Sequence, residues 1–125
     1  MSEYMRSMKG LVDAVDHVGK DFISITDMTN DQLYSLFELG KNLELFNRSK
    51  VDLLGDRMLA LMFFQPSTRT RMSFQTAMER LGGHVIVEAN PKVTSSVAKE
   101  ESIEDTMRCV SQYANLLVIR HYDAD

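Results

Sequence analysis

The sequence predicts an α/β fold of three layers, in which a central, mostly parallel sheet is flanked by helices. Three short segments rich in apolar residues suit strands: residues 58–64, 84–88 and 116–119. Helical patterns separate these segments, and each connection is long enough for successive strands to lie parallel. Right-handed crossovers, with helices on both faces of the sheet, are the expected arrangement. The length suits one core, so residues 1–125 are expected to form a single domain.

Composition and charge exclude several classes of function. Fourteen Lys and Arg residues against 18 Asp and Glu residues give a formal net charge of −4. This balance disfavours nucleic acid as a partner, because binding to a phosphate backbone needs a basic surface. No apolar run approaches the roughly 18–20 residues that span a bilayer, so we expect no membrane contact. The single cysteine, Cys109, excludes an internal disulfide and fits the cytoplasm, and its helical setting predicts a buried, unreactive thiol.

The N-terminal part of the chain predicts helices. Residues 1–20 are weakly patterned and hint at a short helix, and residues 22–25 predict a short extended segment. Thr29 and Gln32 have the spacing of a capping box, in which each side chain accepts a hydrogen bond from the other residue's backbone N–H. Apolar residues at helical spacing follow, so a helix is predicted over about residues 30–46.

Residues 58–83 predict a buried strand followed directly by a helix. Seven unbroken apolar residues, 58–64, suit a strand that is buried on both faces. Pro66 ends the strand, because proline lacks the N–H that a central strand must donate. Ser67 is the expected helix cap, and Gly82–Gly83 is the expected helix end. The predicted apolar face of this helix consists of Phe74, Ala77, Met78 and Leu81.

The turn between this strand and this helix combines hydroxyls with guanidiniums, in the order Ser67, Thr68, Arg69, Thr70, Arg71. A helix N-terminus presents unpaired N–H groups and partial positive charge, so it attracts an anion. Each charged hydrogen bond is worth roughly 1.5–3 kcal/mol, against roughly 0.3–1 kcal/mol for the dipole. Because cations oppose the dipole unless an anion is present, the turn predicts a site for a small phosphate-bearing ligand. The alternative is a capped helix with arginines on its solvated face.

The last third of the chain predicts a strand, a loop, a helix and a strand. Ser102 with Asp105 resembles a helix start. The predicted buried face of this helix consists of Ile103, Thr106, Met107, Val110 and Ala114. The strand 116–119 then ends in Arg120 and His121. His121 can polarise a carbonyl or lie at the surface, while no spacing of His, Cys and Asp suggests a metal site.

Three features are expected at the same edge of the sheet. They are the Ser67–Arg71 turn, Arg120, and the loop after the second strand, which contains Ser95 and Lys99. In parallel sheets ligands bind beyond the carboxyl ends of the strands, so the topology alone gathers these residues. The alternatives are that Arg120 is a surface arginine and that Lys99 belongs to a solvated charge run.

The residues of the turn and its flanks resemble those of a known family. F-F-Q-P-S-T-R-T-R-M-S-F-Q-T-A, from Phe63 to Ala77, resembles the carbamoyl-phosphate signature of the aspartate and ornithine carbamoyltransferases. K-E-E-S-I-E-D-T, from Lys99, resembles the segment that enters the family's next helix. V-I-R-H, from Val118, resembles a strand end of the aspartate branch. The similarity covers residues 22–121.

The resemblance implies roles for the residues of the turn. Ser67, Thr68, Arg69 and Thr70 would bind the phosphate of carbamoyl phosphate. Arg120 and Thr70 would also contact its carbonyl oxygen, so Arg69, Thr70 and Arg120 are the expected catalytic residues. Neither a metal nor a cofactor is implied.

The resemblance also implies a shared assembly. Ser95 and Lys99 would lie on a loop that crosses into a neighbouring subunit's site, and Glu101 would hold an arginine or the loop by an ion pair. The implied assembly is a homotrimer with shared sites, to which a regulatory chain can bind, and the implied pathway is pyrimidine synthesis. The Ser95…Lys99 loop favours the aspartate branch, whereas Glu100 and Tyr122 stand where many aspartate enzymes have glycine and proline.

A larger enzyme is implied as well. The family's H-P-T-Q motif and its second, aspartate-binding domain have no counterpart in these 125 residues. We therefore expect the carbamoyl-phosphate-binding domain of an aspartate carbamoyltransferase, catalytically incomplete by itself. Two other functions stay open: a non-catalytic phosphate-binding or assembly module, and an ornithine-type carbamoyltransferase.

Overall fold

The chain divides into two compact units, Met1–Arg48 and Ser49–Asp125. The computed structural model describes residues 3–44, 52–89 and 102–122. In the first unit these include helix α1 (Glu3–Val15), a 3-10 turn (Ile25–Asp27) and helix α2 (Asn30–Glu44). In the second unit they include strand β1 (Met58–Phe63), helix α3 (Thr68–Arg80), strand β2 (His84–Glu88), helix α4 (Ile103–Val110) and strand β3 (Leu116–Arg120).

Two capping boxes shape the first unit. The predicted one is confirmed: the Gln32 N–H donates to Thr29 Oγ1 at 3.3 Å, and the Thr29 N–H donates to Gln32 Oε1 at 2.8 Å. In the predicted extended segment over residues 22–25, Ser24 does have an extended backbone (φ −137°, ψ 145°), whereas Ile25 enters the 3-10 helix, because Ser24 begins a second box. Its N–H donates to Asp27 Oδ2 at 3.2 Å, and its Oγ accepts from the Thr26 N–H at 3.3 Å, which turns the chain into the 3-10 helix.

The second unit is built on a parallel sheet with the strand order β2-β1-β3. This sheet, flanked by helices, confirms the predicted α/β fold. The chain steps from β1 to β2 in one direction and then crosses back over β1 to β3. The right-handed crossovers expected in such sheets would place α3 and α4 on opposite faces. The step direction reverses between β1 and β3, and that is the position at which parallel sheets open a ligand crevice.

The central strand forms the core, as its unbroken apolar run predicts. Ala60 and Leu61 are fully buried, and the rest of β1 after Met58 is at most 6% exposed. Leu59, Leu61 and Phe63 pack with Met78 of α3 in one cluster. Because β1 lies between two strands and both of its faces are covered, its position in the sheet is fixed firmly.

Helix α3 buries only part of the predicted face, at Met78 and, by half, at Leu81. Met78 is 3% exposed, but Phe74 is 42% exposed and Ala77 is also exposed. Arg71 and Gln75, which precede Met78 at helical spacing, are half-buried as well. The stems of these longer polar side chains can cover apolar surface while their polar ends reach outward.

Helix α4 does bury its predicted face: Thr106 is buried, and Ile103, Met107, Val110 and Ala114 are half-buried. Cys109 lies outside that face and is exposed, so the prediction of a buried thiol is wrong. Among the described residues, no helix combines the length and apolar character that crossing a membrane requires. The cytoplasmic location stays a prediction.

Candidate functional site

The ends of β1 and β3 meet at one point of the sheet edge. Phe63, the last residue of β1, lies opposite Arg120, the last residue of β3. The backbone N–H of Phe64 then donates to the Arg120 carbonyl at 2.8 Å. At the other end of β3, Asn115 and Met58 exchange two hydrogen bonds of 2.9 Å, from the Asn115 N–H to the Met58 carbonyl and from the Met58 N–H to Asn115 Oδ1. Both ends of the pairing are therefore fixed.

The Arg120 side chain extends over the turn that follows β1. Its Nη1 donates to Ser67 Oγ at 2.9 Å and to Thr70 Oγ1 at 3.5 Å. Its Nε donates to Gln65 Oε1 at 3.1 Å. All four side chains are half-buried. Arg120 is thus joined in one polar cluster with residues 50 to 55 positions away in the chain, so it is not an isolated surface arginine.

Ser67 stands at the N-cap position of α3 but does not act as a side-chain cap. Its hydroxyl makes no cap hydrogen bond to the first turn of the helix, so the expected capping role is wrong. The physical reason is the competing contact, because Ser67 Oγ accepts from the Arg120 guanidinium instead. The Ser67 hydroxyl consequently satisfies none of the first backbone N–H groups of α3, which remain available to a ligand.

An open cavity of about 410 Å³ lies at this strand–helix junction. It is lined by Pro66, Ser67, Thr68, Arg69, Thr70 and Arg120. The predicted residues of the turn and Arg120 are therefore brought together around one space. Arg71 is half-buried and is not among the lining residues. The volume leaves room for a small phosphate-bearing molecule.

The cationic charges of this cavity have no carboxylate partner in the part of the chain that the structure describes. The ion pairs found there join Lys20 to Asp16, Lys41 to Glu38 and Arg108 to Asp105. The acceptors of Arg120 are neutral oxygen atoms of an amide and two hydroxyls. Two guanidiniums, at Arg69 and Arg120, thus face one cavity with no carboxylate partner among residues 3–44, 52–89 and 102–122, and an anion is the ligand that this arrangement favours.

Three predicted residues of the site lie outside the described residues. They are Ser95, Lys99 and Glu101. Their placement near a neighbouring subunit's site stays a prediction. Within residues 3–44, 52–89 and 102–122, no group of three or more His, Cys, Asp and Glu side chains is positioned to hold a metal ion.

Sequence reasoning missed the part that Gln65 plays in the cluster. The sequence shows it only as the residue between the buried strand and Pro66. Its position just after β1, level with the end of β3, could have indicated a contact with Arg120. His121, the next residue after Arg120, is half-buried and packs edge-on against Phe64, with ring centroids 5.1 Å apart.

Cys109 lies away from this cluster, on α4. Its Sγ lies 2.9 Å from the hydroxyl of Tyr113, one helical turn further along. This hydrogen bond raises the pKa of Tyr113. Both side chains are exposed, and neither lines the cavity.

Comparisons with known proteins agree with this geometry. The family model for the aspartate/ornithine carbamoyltransferase carbamoyl-phosphate-binding domain matches residues 20–125. The chain is 61% identical over 117 residues to the ureidoglycine carbamoyltransferase of Rubrobacter xylanophilus. This match covers 94% of this chain and 34% of that protein. The chain is 48% identical over 103 residues to the aspartate carbamoyltransferase catalytic subunit of Pyrobaculum calidifontis, covering 82% of this chain and 33% of that one.

Solved structures give the same result at the level of the fold. The catalytic subunit of M. jannaschii aspartate transcarbamoylase superposes with a TM-score of 0.74 at 41% identity, covering 82% of this chain and 34% of that chain. The Trypanosoma cruzi aspartate transcarbamoylase in complex with carbamoyl phosphate gives a TM-score of 0.77 at 32% identity. The match covers 86% of this chain and 34% of that chain.

This chain spans about one third of the length of the relatives that it matches. The matched range, residues 20–125, contains the whole cluster around Arg120 and the turn before α3. By this match the chain belongs to the aspartate/ornithine carbamoyltransferase family and represents its carbamoyl-phosphate-binding domain.

Proposed function

We propose that this chain supplies the carbamoyl-phosphate site of an enzyme that transfers the carbamoyl group to an amine. The observation that carries the proposal is the Arg120 guanidinium, which lies over the Ser67 and Thr70 hydroxyls and shares its cavity with Arg69. Two cations that lack a carboxylate partner among the described residues, together with hydroxyls and a helix N-terminus, surround a space for a phosphate-bearing molecule. A capped helix with solvated arginines does not account for their convergence.

Each part of the site has a role in the proposed reaction. Ser67, Thr68, Arg69, Thr70 and Arg120 bind the phosphate, and Arg120 with Thr70 also contacts the carbonyl oxygen. The amine nitrogen attacks the carbamoyl carbon, and the carbonyl oxygen becomes an oxyanion that Arg120 stabilises. The carbon–oxygen bond to phosphate then breaks, and the departing phosphate takes the proton that the amine loses. Fixed cations and positioning are the protein's contribution.

The acceptor amine is the finer part of the proposal. We propose ureidoglycine, because identity to the ureidoglycine carbamoyltransferase is 61%, against 48% to an aspartate carbamoyltransferase. Glu100 and Tyr122, which stand where many aspartate enzymes have glycine and proline, agree with that choice. L-Aspartate, with a role in pyrimidine synthesis, is the second candidate, favoured by V-I-R-H at the end of β3 and by the aspartate carbamoyltransferases among the relatives.

The proposed assembly is a homotrimer with shared sites. Ser95 and Lys99 would enter the site of a neighbouring subunit, and Glu101 would support them. Lysine can contact phosphate as a point charge, which complements the fork geometry of Arg69 and Arg120. A regulatory chain is a further proposed partner.

Calorimetry with carbamoyl phosphate tests the site directly. We expect Arg69→Ala to weaken binding by about 10-fold to 150-fold, because one charged hydrogen-bonding group is worth about 1.5–3 kcal/mol. Arg108→Ala is the matched control, since that exposed arginine pairs with Asp105 on α4 and does not line the cavity. Equal affinity in Arg69→Ala and in the wild type would remove Arg69 from the site and the central support from the proposal.

Chimeric enzymes test the acceptor. This chain is joined to the part of the Rubrobacter xylanophilus protein beyond its matched third, and separately to the same part of the Pyrobaculum calidifontis subunit. We expect carbamoyl transfer to ureidoglycine by the first chimera, at least tenfold more active than the second is with L-aspartate. Arg120→Ala in both chimeras is the control. Activity of the second chimera alone would make L-aspartate the acceptor, and strong turnover by the 125 residues alone would contradict the expected incompleteness.

A further inference from the structure

Three rings lie in a row just beyond the ends of β1 and β3, at the edge of the sheet that carries the cavity. Phe64 follows β1, and His121 and Tyr122 follow β3. The ring centroids of Phe64 and His121 are 5.1 Å apart, those of His121 and Tyr122 are 6.2 Å apart, and both pairs pack edge to face. Phe64 is 4% exposed and Tyr122 is 51% exposed, so this aromatic row runs from the core to the surface.

His121 joins the two outer rings of the aromatic row. Its ring is half-buried, packs against both Phe64 and Tyr122, and is not among the groups that line the cavity. The backbone beside it is fixed as well, because the Phe64 N–H donates to the Arg120 carbonyl at 2.8 Å. Tyr122 is therefore held through His121 to a buried residue, although half of its own surface is open.

Tyr122 lies close to the reacting group in the proposed reaction. It is two residues beyond Arg120, so the Cα atoms of the two are at most about 7 Å apart. Arg120 contacts the carbonyl oxygen, and the acceptor amine must approach the carbamoyl carbon that carries this oxygen. The rest of the acceptor then lies near Arg120 but outside the cavity that holds the phosphate. Tyr122, which does not line that cavity, offers a half-exposed ring there.

The two candidate acceptors differ in one substituent. Ureidoglycine and L-aspartate both carry an amine and a carboxylate on the same carbon atom. The third substituent is a planar, uncharged ureido group in ureidoglycine and a carboxymethyl group with a full negative charge in L-aspartate. The face of an aromatic ring carries partial negative charge, so it stacks well with a planar uncharged group and poorly with a carboxylate.

On the basis of the function proposed above, we propose that Tyr122 is a specificity-determining residue for the acceptor. Its ring packs against the ureido group of ureidoglycine, and His121 and Phe64 hold the ring in place for this contact. The contact needs the ring rather than the phenol hydroxyl. The phosphate is bound by other residues, so Tyr122 acts on the choice of acceptor and not on phosphate binding.

The test uses the two chimeric enzymes described above, with ureidoglycine as acceptor for the one with the Rubrobacter xylanophilus part and L-aspartate for the other. Tyr122→Ala removes the ring, and Tyr122→Phe keeps it. Tyr113→Ala is the matched control, because that tyrosine is 63% exposed and precedes β3, at the opposite end of the sheet. Ureidoacetate, which is ureidoglycine without its amine, is titrated into the first chimera as a binding probe that does not depend on turnover.

Tyr122→Ala is expected to lower kcat/KM for ureidoglycine about threefold to tenfold, through a higher KM, because a stacked ring is lost. Ureidoacetate is expected to bind more weakly by the same factor. Transfer to L-aspartate by the second chimera is expected to stay equal or to rise. Tyr122→Phe and Tyr113→Ala are expected to stay within about twofold of the wild type in every measurement.

The middle ring gives a second test. His121→Ala is expected to raise the KM for ureidoglycine about twofold to fivefold, because Tyr122 loses its packing partner, and His121→Phe is expected to restore it. In the 125-residue chain, Tyr122→Ala is expected to bind inorganic phosphate within about twofold of the wild type and to keep its Tm within about 2 °C.

The acceptor and the phosphate readouts separate specificity from a structural role. If Tyr122→Ala leaves both the KM for ureidoglycine and the affinity for ureidoacetate unchanged, the inference is overturned. It is also overturned if Tyr122→Ala lowers transfer to both acceptors equally, or if phosphate affinity and Tm fall with it. If Arg69→Ala weakens phosphate binding while Tyr122→Ala changes nothing, the proposed function stands and only the role of Tyr122 falls. If the wild-type chain binds no phosphate, the proposed function itself falls.

Discussion

Two serine hydroxyls at equivalent positions, before α3 and before α4, have different hydrogen-bond partners. The hydroxyls of Ser67 and Ser102 stand at the N-cap positions of α3 and α4, yet only Ser102 caps its helix. Ser102 Oγ accepts from the Asp105 N–H at 3.1 Å, whereas Ser67 Oγ accepts from Arg120 at 2.9 Å. The Ser102 hydroxyl therefore stabilises its helix, whereas the Ser67 hydroxyl binds Arg120 in the candidate site.

This difference predicts opposite effects for the same substitution. Ser102→Ala is expected to lower the free energy of unfolding by about 1 kcal/mol, the usual value for a lost cap, and to leave phosphate binding unchanged. Ser67→Ala is expected to lower stability by less than about 0.5 kcal/mol, because Arg120 keeps other acceptors, but to weaken phosphate binding about tenfold. Urea unfolding and calorimetry on both variants measure this, and the reverse pattern would show that Ser67 is a structural cap.

At the scale of elements, the sequence predicted what depends on local pattern and missed what depends on tertiary contacts. The buried strand β1, the capping box of α2 and the face of α4 are confirmed, because unbroken apolar runs and side-chain spacing are local signals. The face of α3 was predicted correctly at Met78 and Leu81 but not at Phe74 and Ala77, since packing against β1 and β2 decides which positions are covered. The extended segment predicted over residues 22–25 stops at Ser24, because the capping box there starts the 3-10 helix at Ile25.

The same distinction applies to the site. The turn from Ser67 to Thr70 and the guanidinium of Arg120 were predicted, because parallel topology brings strand ends to one edge. The contact between Gln65 and Arg120 was not, because the side chains are 55 positions apart and only the register of β1 against β3 brings them together. The exposed position of Cys109 could have been predicted, because Cys109 is not part of the buried face that the pattern of α4 indicates.

At the scale of the whole molecule, two positive charges lie together at the place where the ligand is expected. The chain carries a formal net charge of −4, yet Arg69 and Arg120 face one cavity with no carboxylate partner among the described residues. The cavity lies where the strand order β2-β1-β3 reverses direction, so fold and charge select the same place. Membership of the aspartate/ornithine carbamoyltransferase family agrees with an anion site there.

A crystal structure of the chain with inorganic phosphate is the most direct test of whether one phosphoryl group occupies this cavity. We expect a single phosphate whose oxygen atoms lie about 2.7–2.9 Å from guanidinium nitrogens of both Arg69 and Arg120, with further bonds from the first backbone N–H groups of α3. A phosphate that contacts only one of the two arginines, or that lies away from the ends of β1 and β3, would contradict the account.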